Sequence, residues 1–134
     1  MNKMGAGDYF ILHVDSKKQR NESNYELVKD QVYRIEIHKK SEKWKDWIFS
    51  SPLTGIKLFI LETLFKPRRK ESKFLALCGG IGSDFDHIFE IGNGVDQYSS
   101  TETGLFYAFA NDHPSRLAYV NNKGALEIKV LRIE

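Results

Sequence analysis

Short apolar runs separated by turn-forming residues are the dominant pattern along the chain. The clearest is 32–38, in which Tyr33, Ile35 and Ile37 alternate with polar residues at the period of two that a β-strand requires. The other runs are of similar length, and glycine, asparagine or proline bounds most of them. The predicted strands are 9–14, 32–38, 56–60, 74–78, 87–91, 105–110 and 126–130.

The stretches between these runs predict turns and loops rather than helices. The polar segment 15–24 is predicted to be a loop and 29–31 a turn, while the strand 74–78 is predicted to end at the two glycines that follow it. The strongest helical competitor, 56–65, lacks both an N-cap pattern and a C-cap glycine. Short strands joined in this way favour an all-β fold, an antiparallel two-sheet β-sandwich of the jelly-roll type.

The length and composition fit one globular domain. The chain has 134 residues, of which 41% are hydrophobic and 28% charged, and no glycine-, serine- or proline-rich linker divides it. We therefore expect a single sandwich domain over 1–134, with 1–25 as a peripheral first strand and loop. No apolar run approaches the ~18 residues of a membrane span, and the N-terminus lacks the apolar stretch of a signal peptide. A cytoplasmic location is the default expectation, for this chain or for a longer protein that contains it.

The charge balance argues against a general nucleic-acid-binding protein. Lysine and arginine number 20 and aspartate and glutamate 18, which gives a net charge of +2. Two basic segments stand out because basic side chains beside aromatic rings are able to hold a polyanion, although a solvated loop is the simpler interpretation. They are 66–73 and, near Trp44 and Trp47, the residues Lys39, Lys40, Lys43 and Lys45.

The sequence predicts a binding protein rather than an enzyme. Cys78 is the single cysteine, and a catalytic cysteine–histidine pair would need its thiol exposed beside one of the four histidines. A cysteine at the end of an apolar strand is typically buried and inert. The chain also lacks a nucleophile elbow, a P-loop, a His-Glu-x-x-His motif and a dinucleotide fingerprint.

The last third of the chain carries the most specific pattern. The strand 104–112 ends in an Asn-Asp pair, and after a loop 121–124 read Asn-Asn-Lys-Gly. Upstream, 74–82 contain an Ala-Leu-x-x-x-Ile-Gly sequence, and 89–92 end in a second Ile-Gly step. Over about residues 26–134 this arrangement resembles the PA-I type galactophilic lectins (the LecA-like, galactose-binding family) and their β-sandwich relatives. Two shorter motifs also resemble those relatives, the Trp-x-Asp step at 44–46 and the Thr-Gly-Ile step at 54–56.

This resemblance implies a galactose-binding-like sandwich with lectin-like carbohydrate binding, assisted by a calcium ion in the 111–124 loop. Calcium takes about 6–8 oxygen ligands, and two vicinal sugar hydroxyls would complete the set. By their place in the pattern, Asp112, Asn121 and Asn122 would be the metal ligands. With the other polar and aromatic residues of the loop that are candidates for ligand contact, the predicted ligand-binding set is Asp112, His113, Arg116, Tyr119, Asn121 and Asn122.

The loop departs from the lectin pattern in its length and in one residue. It is longer between Asp112 and Asn121, and Arg116 lies where the family has a hydroxyl ligand. A guanidinium 4 Å from the ion would oppose binding by about 4 kcal/mol at an effective dielectric near 20. Tyr119 is the aromatic residue of the loop that would stack on a sugar ring. Further candidate carboxylates from neighbouring loops are Asp84, Asp86 and Asp96.

Two alternatives stay open on the sequence alone. Asp112, Asn121 and Asn122 are also typical turn residues, which bond their own backbone and tolerate a left-handed φ, so the loop need not hold a ligand. A module of the same fold with neither metal nor sugar would mediate protein contacts or homo-oligomerisation through an edge strand or the basic loops. The expected partner is therefore a carbohydrate or a protein.

Overall fold

Antiparallel strands and one short helix make up the described part of the chain, which is residues 1–40, 44–46, 49–57 and 66–134 of the computed structural model. The helix α1 spans Arg116–Val120, and across these ranges no helix has the length and apolarity to cross a membrane. The strands are β1 Tyr9–Asp15, β2 Asn21–Leu27, β3 Val32–Lys40, β4 Lys45–Asp46, β5 Phe49–Ser50, β6 Leu77–Ile81, β7 Ile88–Glu90, β8 Gly94–Ser99, β9 Gly104–Ala110, β10 Asn122–Lys123 and β11 Ala125–Arg132.

Two four-stranded antiparallel sheets form a sandwich. The strand order is β1-β11-β3-β8 in the first sheet and β2-β9-β6-β7 in the second. A third, small sheet has three strands in the order β10-β4-β5, and its strand β10 directly precedes β11 in the chain. This arrangement confirms the all-β, antiparallel two-sheet fold that the strand pattern predicts.

Alternating side chains from both sheets form one apolar core. In β3 the predicted period of two is observed, with Tyr33 and Ile35 buried, and β1 shows the same alternation, with Phe10 and Leu12 buried between more exposed residues. Phe106 of the second sheet belongs to the same buried cluster. Since full burial of such a side chain contributes about 1.5–3 kcal/mol, the alternation determines which face of each strand turns inward.

The structure contains a strand where the sequence predicts a loop. The segment 15–24 includes the first half of β2, whose inward side chains are polar and therefore escape the hydrophobic pattern. Asn21 Nδ2 donates to the carbonyl of Ala108 at 3.0 Å, and Ser23 Oγ donates to that of Phe106 at 2.6 Å. Hydrogen bonds to the backbone thus take the place of apolar burial at this sheet edge. The edge strand β8 and the helix α1 are likewise absent from the predicted elements.

The strand β6 runs through the two glycines at which the predicted strand 74–78 ends. The reason is Tyr107, whose ring crosses the outer face of the sheet so closely that a Cβ on Gly80 would lie 2.2 Å from its Cζ. Glycine here allows a close approach of the ring and does not signal a turn.

Several expectations fall partly outside the described residues. Ile56 forms an isolated bridge with Phe74, but 58–60 of the predicted strand lie outside the described part, as do Trp47 and Lys43. The remaining lysines of the second basic segment belong to β3 and β4, so this segment is strand rather than loop there.

A second, smaller apolar cluster covers the outer face of the second sheet. Tyr107, Phe109 and Cys78 are buried in it, and Phe85 from the β6–β7 loop meets both rings edge-on, with centroids 5.3 and 5.5 Å away. The Arg20 guanidinium lies 3.8 Å from the Tyr107 centroid and completes the cover. Cys78 is consequently enclosed within this cluster and has no exposed surface.

Candidate functional site

The residues that the sequence singles out gather at one end of the sandwich, which we call the site end. The registers place the end of β1 beside the start of β11, where Asp15 pairs with Ala125, and the end of β9 beside the start of β6, where Leu77 pairs with Ala110. The Asn-Asp pair follows β9 directly, and α1 and β10 lie between it and β11. The whole 111–124 loop is therefore part of this end.

Asn111 holds the neighbouring basic loop in place. Its Oδ1 accepts a hydrogen bond from Arg69 N–H at 2.8 Å, and its Nδ2 donates to the carbonyls of Arg69, Ser72 and Lys73 at 2.9, 3.2 and 3.0 Å. The side chain is fully buried and its donors and acceptor are all engaged by backbone. The first residue of the Asn-Asp pair thus has a structural role, and the second is left to face the site.

Asp112 is a buried carboxylate that is only half satisfied. Its Oδ1 accepts from His113 N–H at 2.7 Å, whereas Oδ2 has no hydrogen-bond partner among the described residues. Burial raises the pKa of Asp112 to about 6, and the negative charge of Asp46 adds to the rise. The Asn122 side chain lies close enough to lower this pKa in part, but no donor reaches Oδ2 with hydrogen-bond geometry.

Asn122 presents a second unpaired oxygen. The side chain is fully buried, and its Nδ2 donates to the carbonyl of Ser16 at 3.0 Å. Because a carbonyl only accepts, this contact fixes the orientation of the amide, and Oδ1 is left without a partner in the described ranges. Asn122 in β10 also pairs in register with Asp46 in β4, which brings that carboxylate to the site.

The site is a set of oxygen atoms that a hard cation would satisfy. A buried oxygen without a donor costs about 1–3 kcal/mol, and more when it carries charge. Carboxylate and amide oxygens are the ligands that calcium prefers. The described residues contain no group of three histidine, cysteine, aspartate or glutamate side chains suited to a metal, so amide or backbone oxygens would have to complete the shell.

A cavity of about 420 Å³ opens beside Asp112 and Asp46. Its lining combines the carboxyl groups of Asp46 and Asp112 with apolar side chains, of which Leu117 of α1 is 79% exposed. A lining that combines polar and apolar groups is typical of a site for a small amphipathic ligand. The lining residues are Asp46, Phe74, Asp112, His113, Ser115, Leu117, Ala118 and Asn121.

Asn121 lines this cavity and is exposed, as the C-cap of α1 with φ −84°. Among the described non-glycine residues, a positive φ occurs at Asp30 and Leu75. Asp112, Asn121 and Asn122 therefore do not use the left-handed backbone that the turn interpretation invokes, and Gly124 supplies the positive φ of this loop.

Two residues of the predicted ligand set occupy positions that do not suit the roles expected of them. Tyr119 is 1% exposed and its hydroxyl donates to the carbonyl of Ala110 at 2.7 Å, so its ring has no open face for a sugar. Arg116 is exposed in the first turn of α1 and is not part of the cavity wall. The helix explains both positions, because Ser115 caps it by accepting from Ala118 N–H at 3.2 Å and turns Tyr119 inward.

Asp46 is the site residue that the loop pattern misses. Burial raises the pKa of Asp46, as expected for a carboxylate packed at the end of a sandwich. The signal for it is the Trp-x-Asp step at 44–46, because Trp44 anchors the segment through Nε1, which donates to the carbonyl of Leu75 at 2.7 Å. Asp84, Asp86 and Asp96, the carboxylates considered from neighbouring loops, do not line the cavity.

Cys78 does not have the environment of a nucleophile. Its side chain is fully buried, and burial raises the pKa of the thiol to about 12. A thiol with so high a pKa is protonated at neutral pH and unreactive. The exposed cysteine that the enzyme hypothesis needs is therefore not found here.

The comparisons with known proteins establish the fold. No family model and no curated protein sequence matches the chain. Among solved structures, the N-terminal domain of EclA, described as a PllA-like lectin, is similar with a TM-score of 0.55 over 92% of this chain and 94% of that chain, at 18% sequence identity. At that identity the similarity concerns the fold, which is that of a lectin-type β-sandwich.

Proposed function

We propose that this protein is a carbohydrate-binding module of lectin type, in which calcium at the site end holds vicinal hydroxyls of a saccharide. The observation that carries the proposal is that two interacting side chains at the site end each keep a buried oxygen without a donor, Asp112 Oδ2 and Asn122 Oδ1. A fold keeps such a pair at a cost in stability, which a bound cation would offset. The lectin-type fold supports the ligand class.

Different residues at the site would bind the ion and contact the sugar. Asp112 and Asn122 would supply a carboxylate and an amide oxygen to the ion, and Asp46 and Asn121, which line the cavity with Asp112, would supply a second carboxylate and a second amide. Bound calcium would supply open coordination positions for two hydroxyl oxygens. Leu117 at the rim would contact the apolar face of the sugar ring and orient it.

Calcium binding is tested by thermal unfolding in EDTA and in calcium. A ligand that binds only the native state at 100 times its Kd adds about 2.7 kcal/mol, which is several degrees in Tm for a domain of this size. We expect that rise for the wild-type protein and none for Asp112→Asn. An equal response of the two proteins would exclude Asp112 as a ligand.

Saccharide binding is tested by calorimetry with methyl galactoside, followed by the other common methyl hexosides. Galactose comes first because of the galactophilic lectins that the sequence resembles. We expect heat of binding in calcium and none in EDTA. Binding of no saccharide in the presence of bound calcium would refute the carbohydrate function while leaving the metal site standing.

Protein–protein interaction is the second candidate, and one observation favours it. Tyr9 and Ile11 on the edge strand β1 are 56% and 39% exposed, which gives that edge an apolar outer face. Sedimentation analysis of the wild type and of Ile11→Lys tests it. A dimer that the substitution dissociates would favour this function, and a monomer in both would remove it.

A further inference from the structure

A cationic groove lies next to the candidate calcium site. It encloses about 580 Å³ and is lined by Lys66, Arg68, Lys70, Phe85 and His113, among others. Most of these come from the basic loop that Asn111 clamps through four hydrogen bonds, so the groove is built on a fixed backbone. It is thus not a run of lysines on an unanchored loop.

Contacts with neighbouring side chains hold Arg68 in place in this groove. Its guanidinium lies 3.6 Å from the centroid of the Phe85 ring, and one Nη donates to Gln19 Oε1 at 3.0 Å. Its Nε is buried and has no hydrogen-bond acceptor in the described part of the chain. A buried guanidinium donor without an acceptor is costly, and an anionic oxygen is the partner that best satisfies it.

The groove and the candidate calcium cavity share a wall at His113. The His113 backbone N–H donates to Asp112 Oδ1 at 2.7 Å, and its ring Nδ1 is 3.1 Å from the carbonyl of Lys66, to which it donates. The backbone N–H of Arg68 in turn donates to the carbonyl of Asp112 at 2.9 Å. One ligand larger than a monosaccharide would therefore reach both cavities.

We propose that the groove around Lys66, Arg68 and Lys70 binds an anionic substituent, sulfate or carboxylate, of the saccharide held at Asp112, so that the natural ligand is an acidic saccharide. The inference rests on the proposed function and deepens it. Asp84 and Asp86 flank Phe85 in sequence but do not line the groove, so the charge facing a ligand there is positive. A net charge of +2 is low for a protein that binds a polyanion such as a nucleic acid, which favours a single anionic group as the ligand of this groove.

The test compares matched ligands by calorimetry in calcium. Neutral galactan oligosaccharides are set against sulfated ones of equal length, and galacturonate oligosaccharides form a carboxylate arm. At low salt the wild type should bind an acidic ligand about tenfold more tightly than the neutral one, and the preference should shrink in about 0.5 M salt. The double variant Lys66→Gln/Lys70→Gln should lose most of that preference and leave neutral binding unchanged.

Two further variants make the result specific. Lys3→Gln/Lys29→Gln removes the same charge from exposed positions at the opposite end of the sandwich and should keep the preference. Arg68→Lys keeps the charge but removes the planar guanidinium, and should reduce the preference about threefold or more.

The outcomes separate the two proposals. Equal affinity of the wild type for neutral and acidic ligands, or an equal loss in the Lys3/Lys29 control, overturns the acidic-saccharide inference and leaves the proposed function intact. The acidic ligand could also bind equally well in EDTA and to Asp112→Asn. That result would show that one ligand does not occupy both the groove and the site at Asp112, and it would overturn the inference. Binding of neither ligand class overturns the acidic-saccharide inference, and it overturns the proposed carbohydrate function as well if the other methyl hexosides also fail to bind.

Discussion

Asp112→Asn should stabilise the calcium-free protein near neutral pH, although it removes a ligand from the candidate site. Burial, with Asp46 adding to it, raises the pKa of Asp112 from the ordinary 3.8 to about 6. That difference corresponds to about 3 kcal/mol of unfolding free energy lost when the carboxylate is ionised. Asparagine has the same shape and keeps an oxygen for the His113 N–H, so the substitution removes this cost without creating a cavity.

The gain should depend on pH in one direction. Between about pH 4 and 6 the folded protein keeps a proton on Asp112 that the unfolded chain has released. The stability of the wild type therefore falls as the pH rises through this window, and the full penalty is present above it. The variant lacks the titrating group, so its advantage is largest above pH 6 and shrinks toward zero near pH 4.

Thermal unfolding in EDTA at about pH 7.5 and about pH 4.5 measures this difference. Since roughly 1 kcal/mol shifts the Tm of a domain of this size by several degrees, the rise at the higher pH has a ceiling of about 10 °C. Asp96→Asn removes an exposed carboxylate on β8 and should change the stability by less than about 0.5 kcal/mol. In calcium at 100 times its Kd the stability difference between the two proteins should fall to near zero, because only the wild type gains the roughly 2.7 kcal/mol of ligand binding. A variant that is less stable in EDTA at pH 7.5, or that gains equally at both pH values, refutes the reasoning.

Three further substitutions probe the site and the sheet that carries it. Asp46→Asn should lower the pKa of Asp112 in calcium-free protein, because it removes a like charge; a carboxyl NMR titration measures it, and an unchanged pKa would show that the two side chains do not interact. Gly80→Ala should destabilise by about 1–3 kcal/mol or more in urea unfolding, because the new Cβ would lie 2.2 Å from the Tyr107 ring, and near-wild-type stability would contradict this packing. Trp44→Phe should cost about 1–3 kcal/mol in the same assay, because it leaves a buried carbonyl unpaired, and no loss would mean that the indole N–H does not anchor the site.

The sequence predicts the fold where inward side chains are apolar and fails where they are not. The strands β1, β3, β9 and β11 follow the period of two or a continuous apolar run, and each is found within a residue or two of its predicted bounds. The strand β2 carries Asn21 and Ser23 inward, and only a partner strand with free carbonyls makes those residues acceptable in a core. That partner lies more than 80 residues away in the chain, so no local pattern indicates it.

The candidate site is predictable to a similar degree. The Asn-Asp and Asn-Asn-Lys-Gly steps single out Asp112 and Asn122, whose side chains interact in the structure, and of the two Asp112 lines the cavity. Asp46 enters through the pairing of β4 with β10, a tertiary contact that spacing does not encode. The sequence places Tyr119 wrongly in an open loop, because a five-residue helix with a serine cap is too short to show a helical period. That helix turns the Tyr119 ring inward.

Hydrogen bonds to backbone hold the segments that surround the site. Asn111, Trp44 and the Ser16 hydroxyl, which donates to the carbonyl of Gly124 at 2.7 Å, hold three separate segments by hydrogen bonds to backbone. These contacts fix the surroundings of Asp112 and Asn122 while leaving one oxygen of each unpaired. Calcium binding at such a preorganised site should therefore raise the Tm without changing the far-ultraviolet circular dichroism, because the ion meets oxygens that the fold already holds in place. A gain of β-structure on adding calcium would show instead that the ion organises these segments.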